Sequence, residues 1–192
     1  MSILFFDTET TGFKPGNICQ LSYILLDGEE VSSKNMYFKV EYVEPGAENL
    51  HGLSVKKLIN LSNNLEFKDR FQEIRGDFSR ANLLVAHNFS FDLNFIRAEF
   101  NRCGHTFKYR DRLCTMYHFT NVCKLPKPRG SGYKWPRLDE LNGFLKISRK
   151  EIIEKTNEVY DIDNIDYHDA RFDTVATYLA YSKGVERNLI KG

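Results

Sequence analysis

Ser2-Ile3-Leu4-Phe5-Phe6-Asp7-Thr8-Glu9-Thr10-Thr11-Gly12 is an apolar run that turns acidic at its end. Ile3 to Phe6 has the unbroken hydrophobicity of a strand buried on both faces. Asp7 and Glu9 are two apart, so on a strand both side chains leave the same face. Carboxylates at the end of a buried strand repel each other and lose hydration. Two readings fit these residues. One is a solvated strand end followed by a Thr-Gly turn. The other is a pair of oxygen ligands for a hard divalent cation.

Outward from this strand, Ile18 to Leu26 reads as a second strand and Asn35 to Val40 as a third. Asp27-Gly28 between them is a turn signal, which predicts an antiparallel meander broken at Pro45-Gly46. Ser54 is placed to cap a short helix through Leu61. His51, just before it, is either a loop residue with a local hydrogen bond or a functional one. Phe67, Phe71, Ile74 and Phe78 fall at helical spacing and read as core. Leu83 to Ala86 is a short apolar strand ending at His87-Asn88. The helix after it turns Phe91, Phe95, Ile96 and Phe100 inward and closes at Cys103-Gly104. Asp92 lies in its first turn. It is either an acid favoured by the helix dipole or a third carboxylate delivered from a strand-to-helix corner, where active sites collect in open sheets. Arg112 to Met116 reads as a last strand and Tyr117 to Leu125 as a helix. Leu138, Leu141, Phe144 and Leu145 form another amphipathic helix. Tyr167-His168-Asp169-Ala170-Arg171-Phe172-Asp173 opens the terminal helix, which packs through Ala170, Ala176, Leu179 and Ala180.

The 192 residues, 42% of them hydrophobic with 15 Phe, predict one domain over residues 1–192 with a packed interior. A net charge of +1 excludes a basic field over the whole molecule, so nucleic-acid binding requires a local patch. Lys124 to Arg137 is such a stretch: Lys124, Lys127, Arg129, Lys134 and Arg137 occur with no acid, beside Tyr133 and Trp135. It suits backbone phosphates plus base stacking, and it equally suits a solvated linker. Gly130-Ser131-Gly132 lacks the Gly-Lys-Ser/Thr ending of a phosphate loop. Cys19, Cys103, Cys114 and Cys123 form no Cys-x-x-Cys pair, which argues against zinc and for reduced thiols in a cytoplasmic protein. No run is long enough to span a membrane, and no signal peptide precedes the first strand.

Asp7, Glu9, Asp92 and Asp173 each sit near a strand end or a helix start. Brought together, they cannot all stay ionised without a counter-charge. Two divalent cations about 3.5–4 Å apart are the usual answer in nucleases, activating water and stabilising an in-line displacement at phosphorus. Carboxylates suit Mg²⁺ or Mn²⁺. A histidine near such a centre can take the proton from the attacking water, and His168 is the candidate.

Phe6-Asp7-Thr8-Glu9-Thr10-Thr11-Gly12, His87-Asn88 through Phe91-Asp92, and His168-x4-Asp173 resemble, in order, the three motifs of the DEDDh 3′→5′ exonucleases. That family includes the proofreading subunit of bacterial DNA polymerase III, ribonuclease T and oligoribonuclease. The resemblance runs from about Ile3 to Ala180. It implies an α/β ribonuclease H-like fold, a five-stranded mixed sheet with strands one to three antiparallel, flanked by helices. It implies that Asp7 bridges two metal ions, Glu9 and Asp173 hold the nucleophile-side ion, Asp92 serves the other, and His168 is the general base. His51-Gly52-Leu53-Ser54 is similar to the family's His-Gly-Ile-Thr/Ser element beside the terminal nucleotide, which assigns His51 and Leu53 to substrate binding. Thr10, Thr11, Asn88 and Phe89 are expected along the same groove.

The implied activity is release of nucleoside 5′-monophosphates from the 3′ end of DNA or RNA, single-stranded DNA foremost. The alternative is a catalytically weak nucleic-acid-binding module on the same fold. Association with a DNA polymerase or a repair complex is compatible with the family. The short stretch after the terminal helix favours a free-standing enzyme over a tethered subunit. Two features depart from the family pattern: the basic loop, and the long, finally acidic stretch from Ile147 to Tyr167. Acid facing a phosphate groove would repel substrate.

Overall fold

The computed structural model describes residues 1–163 and 169–191. Its centre is a five-stranded sheet in the order β3-β2-β1-β4-β5. β1 (Ser2–Thr10) is the middle strand, antiparallel to β2 (Ile18–Asp27) and parallel to β4 (Leu83–Ala86). β3 (Glu30–Tyr37) pairs antiparallel with β2, and β5 (Asp111–Cys114) parallel with β4. This is the mixed, ribonuclease H-like sheet with three antiparallel strands that the motifs imply.

The helices follow in chain order: α1 (Pro45–His51), α2 (Val55–Leu61), α3 (Phe67–Arg80), α4 (Phe89–Arg102), α5 (Thr115–Cys123), α6 (Leu138–Phe144), α7 (Arg149–Tyr160) and α8 (Ala170–Glu186). Ser54 caps α2 by accepting a hydrogen bond from the Lys57 amide at 3.2 Å. Among the described residues no helix is long and apolar enough to cross a membrane.

Alternation along β1 sorts the chain into two cores. Leu4 and Phe6 face α3 and α4, where Phe71, Ile74, Phe78, Phe89 and Phe95 close over them. Edge-on ring pairs, such as Phe6 with Phe78 at 5.4 Å between centroids, add directional packing to the buried area. Phe5 faces the other way, toward Phe172, Val175, Ala176 and Ala180 of α8. Asp7 and Glu9 continue the Phe5 face and so point at the start of α8.

Three boundaries differ from the sequence reading. The third strand is Glu30–Tyr37 rather than Asn35–Val40. It is an edge strand whose middle, Ser32 to Asn35, is wholly polar and hides it from a hydrophobic pattern, and its register runs from Glu30↔Asp27 to Tyr37↔Gln20. Phe38 and Val40 are buried beyond it without extending it. Pro45-Gly46 starts α1 instead of merely breaking the meander, because proline's fixed φ suits the first helical turn. The last strand ends at Cys114, and Thr115 and Met116 open α5. The stretch from Ile147 holds α7, whose acids are largely matched by cations: Glu151 pairs with Lys183, Glu154 with Lys150 and Glu158 with Lys155. Its end, including Asp166 and Tyr167, lies outside the described residues.

Candidate active site

The end of β1 presents its two acids to the start of α8, the last helix. One carboxylate oxygen each from Asp7, Glu9 and Asp173 lies within 4.8 Å of the others. β1 supplies Asp7 and Glu9 because both sit on its α8 face, opposite Ser22 and Gln20 of β2. Asp173 belongs to the first turn of α8. Asp92 arrives from the first turn of α4, beyond the end of β4. It is 2% exposed, and its Oδ1 accepts a 2.6 Å hydrogen bond from the Thr8 hydroxyl. Thr8, which stands between Asp7 and Glu9 in the sequence, thus orients Asp92.

Burial is the first cause of the electrostatic state of this cluster. It raises Asp7 well above the usual carboxylate range, with repulsion from Asp92, Asp173, Glu9 and Asp169 adding to it. Glu9 rises to about 9 through burial and then through Asp173, Asp169 and Asp92. Burial lifts Asp92 to about 7 against the hydrogen bonds from Thr8. Asp173 is lifted to about 6 by burial and by Asp169. Such a set titrates as a unit rather than acid by acid. None of the ion pairs among the described residues reaches these four acids. An oxygen-only donor set that lacks a cationic partner fits a hard divalent ion.

A fifth acid was not singled out from the sequence. Asp169 caps α8 and is held by Arg171 at 2.7 and 2.9 Å and by Gln20 at 2.9 Å. Burial pushes Asp169 upward, but the Arg171 hydrogen bonds outweigh it and keep the carboxyl below its ordinary value. The available signal was an Asp directly before a helix. Nothing in the sequence shows that Gln20, from β2, reaches the same carboxylate. His168 lies outside the described residues.

The residues assigned to substrate binding divide by location. The His51 ring is buried: Nε2 lies 3.1 Å from the Thr10 carbonyl, and the Leu53 amide donates to Nδ1 at 3.1 Å. A carbonyl only accepts and an amide only donates, so the ring carries its proton on Nε2. His51 therefore ties the His51–Leu53 turn to the end of β1. His51→Ala leaves two buried backbone groups without these partners and is expected to cost about 2–4 kcal/mol, read as a lower urea midpoint. An unchanged midpoint would show that these bonds do not hold in solution.

Thr10 donates to the Gly12 carbonyl at 2.9 Å, and the Thr11 hydroxyl accepts from the Asn17 amide at 3.0 Å. Gly12 admits the neighbouring chain: a Cβ there would lie 2.3 Å from the Glu44 carboxyl carbon. Leu53 is buried with Cys19, Val40, Ala47 and Leu58. Phe89 is core, edge-on to Phe6 at 5.7 Å. Asn88 is part-buried and takes the left-handed conformation at φ 61°, which Asn tolerates, so that α4 can start directly after β4. Leu53 and Phe89 are thus core residues, in two different hydrophobic clusters.

Asp173 also lines a cavity of about 390 Å³, with Arg137, Asn142, Arg149 and Phe172 among its walls. The Oδ1 of Asn142 is buried and has no hydrogen-bond partner among the described residues. Thr11 lines a separate cavity of about 490 Å³ with Lys14, Lys39 and Tyr42.

A family model described as "RNase_T: Exonuclease" matches residues 4–181. Over 105 residues the chain is 32% identical to DNA polymerase III subunit epsilon of Treponema pallidum (strain Nichols), covering 51% of this chain and 46% of that protein. Exonuclease I from Methylocaldum szegediense superimposes with a TM-score of 0.72 at 18% identity, over 97% of this chain and 40% of its own. E. coli Exonuclease I in complex with a dT13 oligonucleotide gives 0.68 at 20% identity, over 96% of this chain and 41% of its own. The chain thus spans less than half the length of these relatives. With the match running from the start of β1 into α8, the chain belongs to the DEDDh exonuclease family.

Proposed function

We propose that this protein is a divalent-metal-dependent 3′→5′ exonuclease, acting as one domain over residues 1–192 and releasing nucleoside 5′-monophosphates. The observation that carries the proposal is the convergence of Asp7, Glu9 and Asp173 oxygens within 4.8 Å, beside a buried Asp92. Two Mg²⁺ or Mn²⁺ ions would supply the positive charge that lowers the pKa of water and stabilises an in-line displacement at phosphorus. Asp7 would be shared between the ions, Glu9 and Asp173 would hold the nucleophile-side ion, and Asp92, oriented by Thr8, would serve the other. His168 would take the proton from the attacking water. Thr10, Thr11, His51, Leu53, Asn88 and Phe89 would shape the place of the terminal nucleotide, with Leu53 and Phe89 supporting it from behind. Single-stranded DNA is the favoured substrate and RNA the second. The oligonucleotide-bound Exonuclease I supports the first choice, and the polymerase III subunit supports an association with a polymerase or repair complex. The four free cysteines support a cytoplasmic setting.

The test uses 5′-labelled single-stranded DNA and RNA with Mg²⁺ or Mn²⁺, beside a chelator control and Asp173→Ala. The expected result is a ladder shortening from the 3′ end, absent in both controls. Binding without any ladder on either polymer would replace this reading with a non-catalytic nucleic-acid-binding module.

A further inference from the structure

The basic, aromatic stretch before α6 is a built element. Pro126 and Tyr133 form an antiparallel bridge, the Lys127 amide donates to the Gly132 carbonyl at 3.2 Å, and the Lys134 amide donates to the Leu125 carbonyl at 2.9 Å. The result is a short β-ribbon. Its base is anchored in the fold, where Pro136 is buried. Arg137, the next residue, lines the cavity that Asp173 also lines. The ribbon therefore projects from the rim of the proposed catalytic centre.

Its chemistry is selective. Lys134 is taken by Glu140, and Arg137 is held by Asp139 at 3.1 Å. Lys124, Lys127 and Arg129 are exposed, and no ion pair among the described residues involves them. Beside these cations Trp135 is 59% and Tyr133 41% exposed, and Trp135 meets Tyr117 edge-on at 5.2 Å between centroids. Large exposed rings standing among unpaired cations do not serve the core. Cations that track phosphates, together with ring faces open to stacking, are what single-stranded nucleic acid requires. An acidic protein would use the cations and leave the rings idle.

We propose that the 124–137 ribbon, with Tyr117, is a second binding surface for single-stranded nucleic acid. It would hold nucleotides upstream of the 3′ end whose terminal nucleotide occupies the catalytic centre. This rests on the exonuclease reading for polarity, while the surface itself stands on its own residues.

The test measures binding of labelled single-stranded 3-mers and 12-mers by fluorescence anisotropy, in chelator so that nothing is cut, from 50 to 300 mM salt. Wild type is expected to bind the 12-mer far more tightly than the 3-mer. Lys124→Gln/Lys127→Gln/Arg129→Gln should flatten the salt dependence of 12-mer binding by a slope of about 2, since each phosphate contact on a single strand contributes about 0.7. Trp135→Ala should weaken the 12-mer about tenfold or more, the size of one lost stacking contact. Neither change should alter 3-mer binding. Equal length dependence in wild type and both variants would overturn the proposal. So would a loss with the lysine and arginine changes but none with Trp135→Ala, or competition by polyglutamate as strong as by the 12-mer. Both of these outcomes would mark a polyanion patch without stacking. Cleavage of the 3-mer by metal-loaded wild type is scored separately, so a failed exonuclease reading cannot be mistaken for a failed ribbon.

Discussion

Asp7→Asn is expected to remove hydrolysis and at the same time to raise the melting temperature of the metal-free protein. Asp7 stands among Glu9, Asp92, Asp173 and Asp169, and both burial and each of these neighbours disfavour its charged form. Asparagine keeps the shape and removes the charge, so the repulsion on the other acids falls. A rise of roughly 3–8 °C is expected at pH 7.5 without metal, at about 2–4 °C per kcal/mol for a chain of this size. Activity should move the other way. Losing even an outer contact of a metal ligand typically costs 10–100-fold, so if Asp7 is the shared ligand proposed above, its loss is expected to cost roughly a thousandfold or more. Calorimetry and single-turnover assays on the same preparation check both halves. A variant that is less stable without metal would show that the acids are not in conflict. A variant that stays active would remove Asp7 from the centre.

The second large effect is the dependence of stability on pH and metal. Glu9 at about 9, Asp92 at about 7 and Asp173 at about 6 all lie above the ordinary carboxylate range, as does Asp7. Above about pH 4 the unfolded chain gives up these protons while the native state still holds them. The stabilisation from this group is complete below about pH 4 and is lost progressively as pH rises toward about 9. The metal-free protein should therefore melt at a higher temperature at pH 5.5 than at pH 8. Saturating Mn²⁺ or Mg²⁺ favours the ionised acids and should reverse that order. At a hundredfold excess over the dissociation constant the gain is about 2.7 kcal/mol per site, or roughly 5–11 °C here. A melting temperature that ignores metal at pH 8 would contradict a preformed carboxylate site.

The sequence was most informative where chemistry and period coincide. Ile3 to Phe6 announced a buried strand, and the two-residue spacing of Asp7 and Glu9 placed both on one face. The structure adds which face, because the partner of that face, α8, begins more than 150 residues later. β3 escaped because the middle of this edge strand, Ser32 to Asn35, is wholly polar and carries no apolar alternation. Asp169 and Thr8 escaped for another reason. Their importance lies in the contacts of Thr8 with Asp92 and of Asp169 with Gln20, and only the tertiary fold brings β1 to α4 and β2 to the start of α8. Phe89 was expected along the groove and is buried core, edge-on to Phe6 and on the same side of α4 as the buried Asp92 three residues on. The ribbon's composition was plain in the sequence, but its bridge and the burial of Pro136 were not.

The placement of Asp173 on the last helix has a temporal meaning. During synthesis Asp7, Glu9 and Asp92 leave the ribosome well before α8 does. Strands β1 to β5 can pair while the final acid is still untranslated. A nascent chain therefore carries an incomplete acidic cluster until α8 has docked beside β1. The order of the motifs along the chain thus makes the acidic cluster one of the last features of the fold to be completed.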